Sequence, residues 1–151
     1  MGHEEKLGSG RVMVMNAGAT IHHEERTLGR DPVEGYHLYF HPVSEGLAPM
    51  VQFRDASAIH VDEWRLLASR SAAPLVLRAQ AKLYEGRFSV GSHLFPETEA
   101  ATQRILIVFE GRVLVGAEKF RKGDILLAGD ADNTFRVLGR ADVMLINTTT
   151  A

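Results

Sequence analysis

The stretch "RILIVFEGRVLVGAEKFRKGDILLAGD", residues 104–130, decides the fold class. Two short apolar runs flank Glu110-Gly111, which is the signature of a tight β-hairpin. "RKGD" then reads as a turn, "ILLA" as a short buried strand and Gly129-Asp130 as another turn. Downstream, "TFRVLG" (134–139) and "DVMLINTTT" (142–150) continue the series. Upstream, "PLVLRAQAKLYEGRFSVGSHLF" (74–95) reads as two strands joined near "YEG". Strand and turn therefore alternate at a spacing of about 8–12 residues, the pattern of an all-β sandwich or barrel. No stretch of about 12 residues with helical period competes with it.

The N-terminal half is less regular. Residues 1–10, "MGHEEKLGSG", read as a flexible lead, and 11–151 as a single domain. "RVMVMN" (11–16) is a candidate strand, and "AGATIHHEERTLGRDPVEG" (17–35) a long loop with Gly and Pro punctuation. "YHLYFHPV" (36–43) is strand-like, as are Met50–Phe53 and Ala58–Val61. "DEWRLLASRS" (62–71) reads as one or two helical turns with Asp62 as N-cap.

Composition narrows the function. The chain of 151 residues is 45% hydrophobic and 24% charged, ordinary for a globular domain. A net charge of −2 gives no electrostatic case for nucleic acid or for an anionic membrane. The absence of cysteine excludes disulfides, thiolate metal sites and a cysteine nucleophile, and fits a cytoplasmic protein. No apolar run approaches the roughly 20 residues of a membrane span, and the polar lead lacks the apolar core of a signal peptide. The glycine-containing segments match no phosphate-binding loop, and there is no GxSxG or HExxH motif.

From about Pro74 to Thr150 the order of elements resembles a cupin, the RmlC-like jelly roll. "ILIVFEGRVLV" (105–115) is similar to the cupin hairpin, and "FRKGDILLAGD" (120–130) to the turn and strand that open the second cupin motif. The resemblance implies a single double-stranded β-helix barrel with extra N-terminal strands, a pocket in the barrel mouth and a homodimer, in which exposed apolar strands such as 105–109 are covered. It also implies a metal site. Counting back from Gly111, the family's glutamate falls on Arg104; with a four-residue gap its two histidines fall on Glu97 and Glu99, and its opening glycine on Gly91. In the second motif, counted from Gly123, the proline position is Gly129 and the histidine position Thr134. All four ligand positions depart from the pattern, so the expectation is no metal and no cofactor.

The substituted residues suggest other chemistry. If residues 97–104 are extended and inward, Glu97 and Glu99 share a strand face. Desolvation and mutual repulsion would raise at least one carboxyl pKa, and Arg104 would supply the positive charge of a metal. Such a cluster suits proton transfer, with Glu97 or Glu99 as acid or base. "PETEAATQ" has equally the composition of an exposed loop.

On a strand, His37, Tyr39 and His41 share one face, opposite Tyr36, Leu38 and Phe40. The His-Tyr-His face either lines a polar pocket or is solvated. His60, between Ile59 and Val61, is a core histidine or a pocket base. The expected ligand set is thus His37, Tyr39, His41, His60 and Thr134, with Glu97, Glu99 and Arg104 as catalytic candidates. Three functions follow: a metal-independent isomerase, cyclase or lyase acting on a small molecule; a non-enzymatic ligand-binding or interaction module; or a metal enzyme drawing ligands from His37, His41, His60 or His93 with Glu97 or Glu99.

Overall fold

The structure, a computed structural model, describes residues 4–8, 10–55, 59–71, 73–98, 102–129 and 132–149. Twelve strands and no helix are found among the described residues: β1 Arg11–Asn16, β2 Met50–Asp55, β3 Glu63–Ser69, β4 Leu75–Val76, β5 Ala81–Phe88, β6 Gly91–Leu94, β7 Thr102–Glu110, β8 Arg112–Val115, β9 Glu118–Arg121, β10 Ile125–Ala128, β11 Thr134–Val137 and β12 Ala141–Thr149. It follows that no helix is long and apolar enough to cross a membrane. A six-stranded sheet runs β10-β7-β12-β5-β3-β4, a four-stranded sheet runs β6-β11-β8-β9, and β1 pairs with β2 alone.

The inward face of the large sheet is built in layers. Side chains alternate across a strand, and the register aligns them into rows. Leu106, Leu145, Tyr84 and Leu66 form one row; Val108, Val143, Gly86 and Trp64 form the next. Below these, Phe88 meets Phe135 edge-on at 5.0 Å, and Trp64 lies 4.9 Å from Phe88 and 5.7 Å from Phe135. Each such ring pair adds about 0.5–1.5 kcal/mol beyond the area it buries. The Trp64 indole Nε1 donates to the Leu94 carbonyl at 2.9 Å, which ties β3 to β6. The barrel interior is therefore a packed core from its aromatic end up to the Leu106 row.

The outer face of the same sheet carries a second core of Leu67, Ala68, Leu75, Leu83, Ile107 and Ile146. It is covered by β1 and by residues 36–41, through Val12, Val14, Leu38 and Phe40, while Tyr36 packs on Phe109 at 4.8 Å. The run 105–109, for which a covering second copy was expected, is thus covered within the chain. Two carboxamides dock the β1–β2 pair. Asn16 donates to the Val76 carbonyl at 2.9 Å and accepts from the Arg78 amide at 2.8 Å. Gln52 donates to the Val76 carbonyl at 2.8 Å and accepts from the Val76 amide at 3.0 Å.

Four local expectations are corrected. Within residues 62–71 the chain forms strand β3 (Glu63–Ser69) and no helix: Leu67 and Ala68 are buried and Leu66 half-buried because a bulge between Leu66 and Ala68 lets the strand serve both faces. Asp62 instead adopts φ +67 and caps the turn before β3, its carboxylate accepting from the Ser89 amide at 2.7 Å. "YEG" is no turn; β5 runs through it, because Gly86 leaves room for Phe88 and Trp64, whose atoms a Cβ would meet at 2.3 Å and 3.2 Å. Glu110-Gly111 is not a hairpin within one sheet. β7 pairs with β10 and β12 while β8 pairs with β9 and β11, so Gly111 is the corner where the chain crosses between sheets. "YHLYFHPV" forms no strand apart from an isolated bridge of Pro42 to Ala79, although its apolar alternation is used against the outer core.

Candidate functional site

Polar side chains cluster at the end of the barrel opposite the aromatic layer. One inward row runs across four adjacent strands: Arg104 on β7, Asn147 on β12, Lys82 on β5 and, one step past the bulge, Ser69 on β3. Above it, Thr102 pairs with Thr149, whose amide donates to the Gln80 carbonyl at 3.4 Å. These rows, Arg104 excepted, open onto a cavity of about 140 Å³, lined among others by Ser69, Lys82, Glu97, Thr98, Thr102 and Asn147.

Arg104 holds the mouth together. It is only 7% exposed. Its Nη1 donates to the Asp132 carbonyl at 3.0 Å and its Nη2 to the Thr98 hydroxyl at 3.0 Å. The guanidinium lies over the Phe95 ring, 5.6 Å from its centroid. Arg104 thereby joins β7 to the segments before β7 and before β11, the same parts of the chain that a cupin metal would join. Among the described residues its buried Nε finds no partner, nor does the buried Oδ1 of Asn147.

The other expected site residues fall in different places. Glu97 is exposed at the rim of the cavity, and residues 95–98 form no strand. Glu99 lies outside the described residues. Thr134 faces outward from the four-stranded sheet, paired with the exposed Leu94. His37, Tyr39 and His41 are exposed on the covering segment and do not line the mouth, Tyr39 being 89% exposed; Leu38 and Phe40 take the buried side because they are the apolar alternates. His37 meets only Glu25, at 3.3 Å, among described acids. His60 is exposed in no strand. His93 packs at the aromatic end, 4.8 Å from Phe88, with Nε2 bonded to the Ser89 carbonyl at 2.9 Å.

These residues do not fit a cupin metal. The glutamate position carries a buried cation, one histidine position is a rim carboxylate and the second-motif position points outward. Among the described residues no three His, Cys, Asp or Glu side chains come together as a ligand set.

Sequence reasoning missed Lys82, Asn147, Ser69, Thr98 and Thr102. Asn147 had a signal: a lone carboxamide closing the apolar run "VMLIN" of a buried strand. Ser69 had none, because the bulge shifts it inward.

No family model matches the chain, and no curated protein matches it significantly. Among solved structures, the bacterial pirin YhhW from Escherichia coli in complex with nickel(II) superposes at a TM-score of 0.64 with 18% identity, covering 73% of this chain and 48% of that one. A second YhhW structure from Escherichia coli gives 0.63, 19%, 73% and 47%. A cupin protein from Bacteroides fragilis overlaps at a TM-score of 0.44 with 13% identity, over 63% of this chain and 83% of that one. The chain thus spans just under half the length of the pirin chains it resembles. Over that span it shares the all-β fold of those pirin chains.

Proposed function

We propose that the protein is a small-molecule-binding cupin whose mouth works without a resident metal. The observation that carries this is the two inward polar rows opening on a cavity of about 140 Å³ above an otherwise packed barrel. Arg104 supplies there, as a fixed organic cation, the charge and the cross-link that a metal gives in a cupin. Fold alone does not choose the function. The choice rests on this donor set, which suits hydrogen bonding and charge pairing but not metal ligation.

A second reading keeps an enzyme. Glu97 lines the cavity, so it is placed to act as acid or base on a bound molecule in an isomerase, cyclase or lyase reaction. Glu97→Gln would then abolish turnover while leaving binding intact; an unchanged rate would remove this version and leave the binding module.

The test of the main reading has two parts. Untagged protein prepared without added metal is analysed for first-row metals, and its amide spectrum is titrated with a library of small polar molecules. The expected result is substoichiometric metal and ligand-induced shifts confined to residues such as Ser69, Lys82, Thr102 and Asn147. Stoichiometric iron, manganese, nickel or zinc would overturn it.

A further inference from the structure

We propose that the outer face of the four-stranded sheet carries a second binding site, which takes the phosphate group of a small phosphate monoester between Arg112 and Arg121. It lies apart from the mouth, whose polar rows belong to the six-stranded sheet. Val113 is buried and Phe120 packs against the barrel core, so the alternate residues Arg112, Lys119 and Arg121 project outward. Arg112 on β8 and Arg121 on β9 are directly opposed in register. Like charges in that position are unfavourable, and an anion bound between them removes the repulsion. All three cations are exposed and line a cavity of about 210 Å³, together with Phe120, Asp124 and Leu138.

The positive charge of this face is not cancelled. Arg136 on β11 pairs with Leu114, which in turn pairs with Lys119, so a fourth cation shares the face. Its other outward positions are Ser92, Leu94, Leu114 and Thr134, none of them acidic, while Glu118 falls on the alternate of Phe120, opposite Val115. Among the described residues none of the four cationic side chains meets a carboxylate. Neighbouring acids are committed elsewhere. Lys122 holds Glu34 at 3.1 Å and Glu110 at 2.8 Å, and the Arg87 fork holds Asp142 at 2.9 Å. Asp124, the one acid among the described lining residues, closes the turn after β9, its Oδ2 accepting from the Arg121 amide at 2.8 Å. Three cations against one carboxylate, in a chain of net charge −2, make a local field that favours an anion.

The donors select the ligand class. Two planar guanidinium forks and an ammonium offer more N–H groups than the two oxygens of a carboxylate can take, whereas the three terminal oxygens of a phosphate can receive all three side chains. A volume of about 210 Å³ holds roughly seven water-sized volumes of ~30 Å³, enough for the phosphate and a few carbons. Leu138, whose amide donates to the Arg112 carbonyl at 3.0 Å, gives those carbons an apolar contact. A single-stranded nucleic acid is the poorer match. Its bases need aromatic platforms, and Phe120 and Phe135 of this sheet are turned into the core.

The experiment follows the amide spectrum and the thermal midpoint of the full chain with glycerol phosphate, inorganic phosphate, acetate and an oligothymidylate at constant ionic strength. Glycerol phosphate should bind saturably and move the Arg112, Phe120 and Arg121 amides while those of Thr102 and Asn147 stay in place. Inorganic phosphate should move the same amides more weakly, and acetate none. Arg112→Gln and Arg121→Gln should each weaken binding by about tenfold or more; both positions are exposed, so both variants should fold. Arg54→Gln, which removes an exposed cation on β2, should bind as the parent does. An equal loss in Arg54→Gln, or acetate binding as tightly as glycerol phosphate, would reduce the effect to general charge and overturn the site. Inorganic phosphate binding the more tightly would overturn the monoester, and tighter binding of the oligothymidylate would replace it with a nucleic-acid backbone. Shifts at Thr102 and Asn147 in place of β8 and β9 would hand the anion to the mouth and overturn this site. No shift from any probe would overturn it and leave the small-molecule mouth standing.

Discussion

Alanine at Gly111 and at Gly123 separates two costs that glycine hides. Both residues have left-handed backbones, φ +87 and φ +89. A residue with a Cβ there loses about 1–2 kcal/mol. At Gly123 nothing lies within 4 Å of the added carbon, so Gly123→Ala should cost only that much. At Gly111 the carbon would stand 2.1 Å from the Arg140 carbonyl oxygen, 2.8 Å from the Ala141 Cα and 3.0 Å from its Cβ. Two of those three atoms are backbone at the entry to β12, which is held between β5 and β7 and cannot swing aside. Overpacking of this kind adds about 1–3 kcal/mol. Gly111→Ala should therefore cost about 2–5 kcal/mol, a large share of the about 5–15 kcal/mol that holds a typical domain. Urea unfolding of the two variants and the parent, at matched m values, measures the difference. For a chain of 151 residues each kcal/mol should appear as about 2–4 °C in the thermal midpoint. Equal costs at the two sites would refute the reasoning: the glycine after Glu110 would then be an ordinary turn residue and not a corner clamped beneath β12.

Three further outcomes are expected. Asn16→Ala leaves the Arg78 amide without its partner and should cost about 1–3 kcal/mol in urea unfolding, with hydrogen exchange accelerating first in β1 and β2. Trp64→Phe keeps most of the ring packing but gives up the exposed bond to the Leu94 carbonyl, so about 0.5–1.5 kcal/mol should be lost, and β6 amides should exchange faster than those of β12. The Asp62 carboxyl is held below its ordinary pKa, first by the Ser89 amide and then by the Ser89 hydroxyl. A depressed folded-state pKa contributes stability above the unfolded value and loses it as pH falls through the folded one. Asp62→Asn, which tolerates the same left-handed backbone, should thus lower the urea midpoint at neutral pH and converge with the parent in acid; a constant gap across the range would show that the charge is not the cause.

Much of the barrel was legible because its strands alternate cleanly. "TFRVLG" and "DVMLINTTT" became β11 and β12 nearly as read, and Arg104, left open between an inward cluster and an exposed loop, is buried on β7. The errors have local physical causes. A glycine with positive φ after Glu110 serves a hairpin or a corner equally, and only the pairing of β8 with β9 and β11 distinguishes them. Gly86 reads as a turn residue when its task is to admit an aromatic ring. The β3 bulge breaks the period of two, so its apolar run mimics a helix and conceals Ser69. The mouth was less legible: Lys82 and Asn147 each look like strand-end polarity until neighbouring strands set them side by side.

The layering of the barrel separates two tasks along one axis. The aromatic end, with Trp64, Phe88 and Phe135, carries much of the packing; the mouth, with Lys82, Thr102 and Asn147, carries the polar surface, and the Leu106 and Val108 rows lie between them, with Phe95 reaching from Phe135 to the Arg104 guanidinium. Exchanges at the mouth positions should therefore be cheap in folding terms. A combinatorial library confined to those residues should yield mostly soluble variants with altered ligand preference, whereas the same diversity spent at the aromatic end should yield mostly aggregates. The scaffold is in that sense a plate with a rewritable rim.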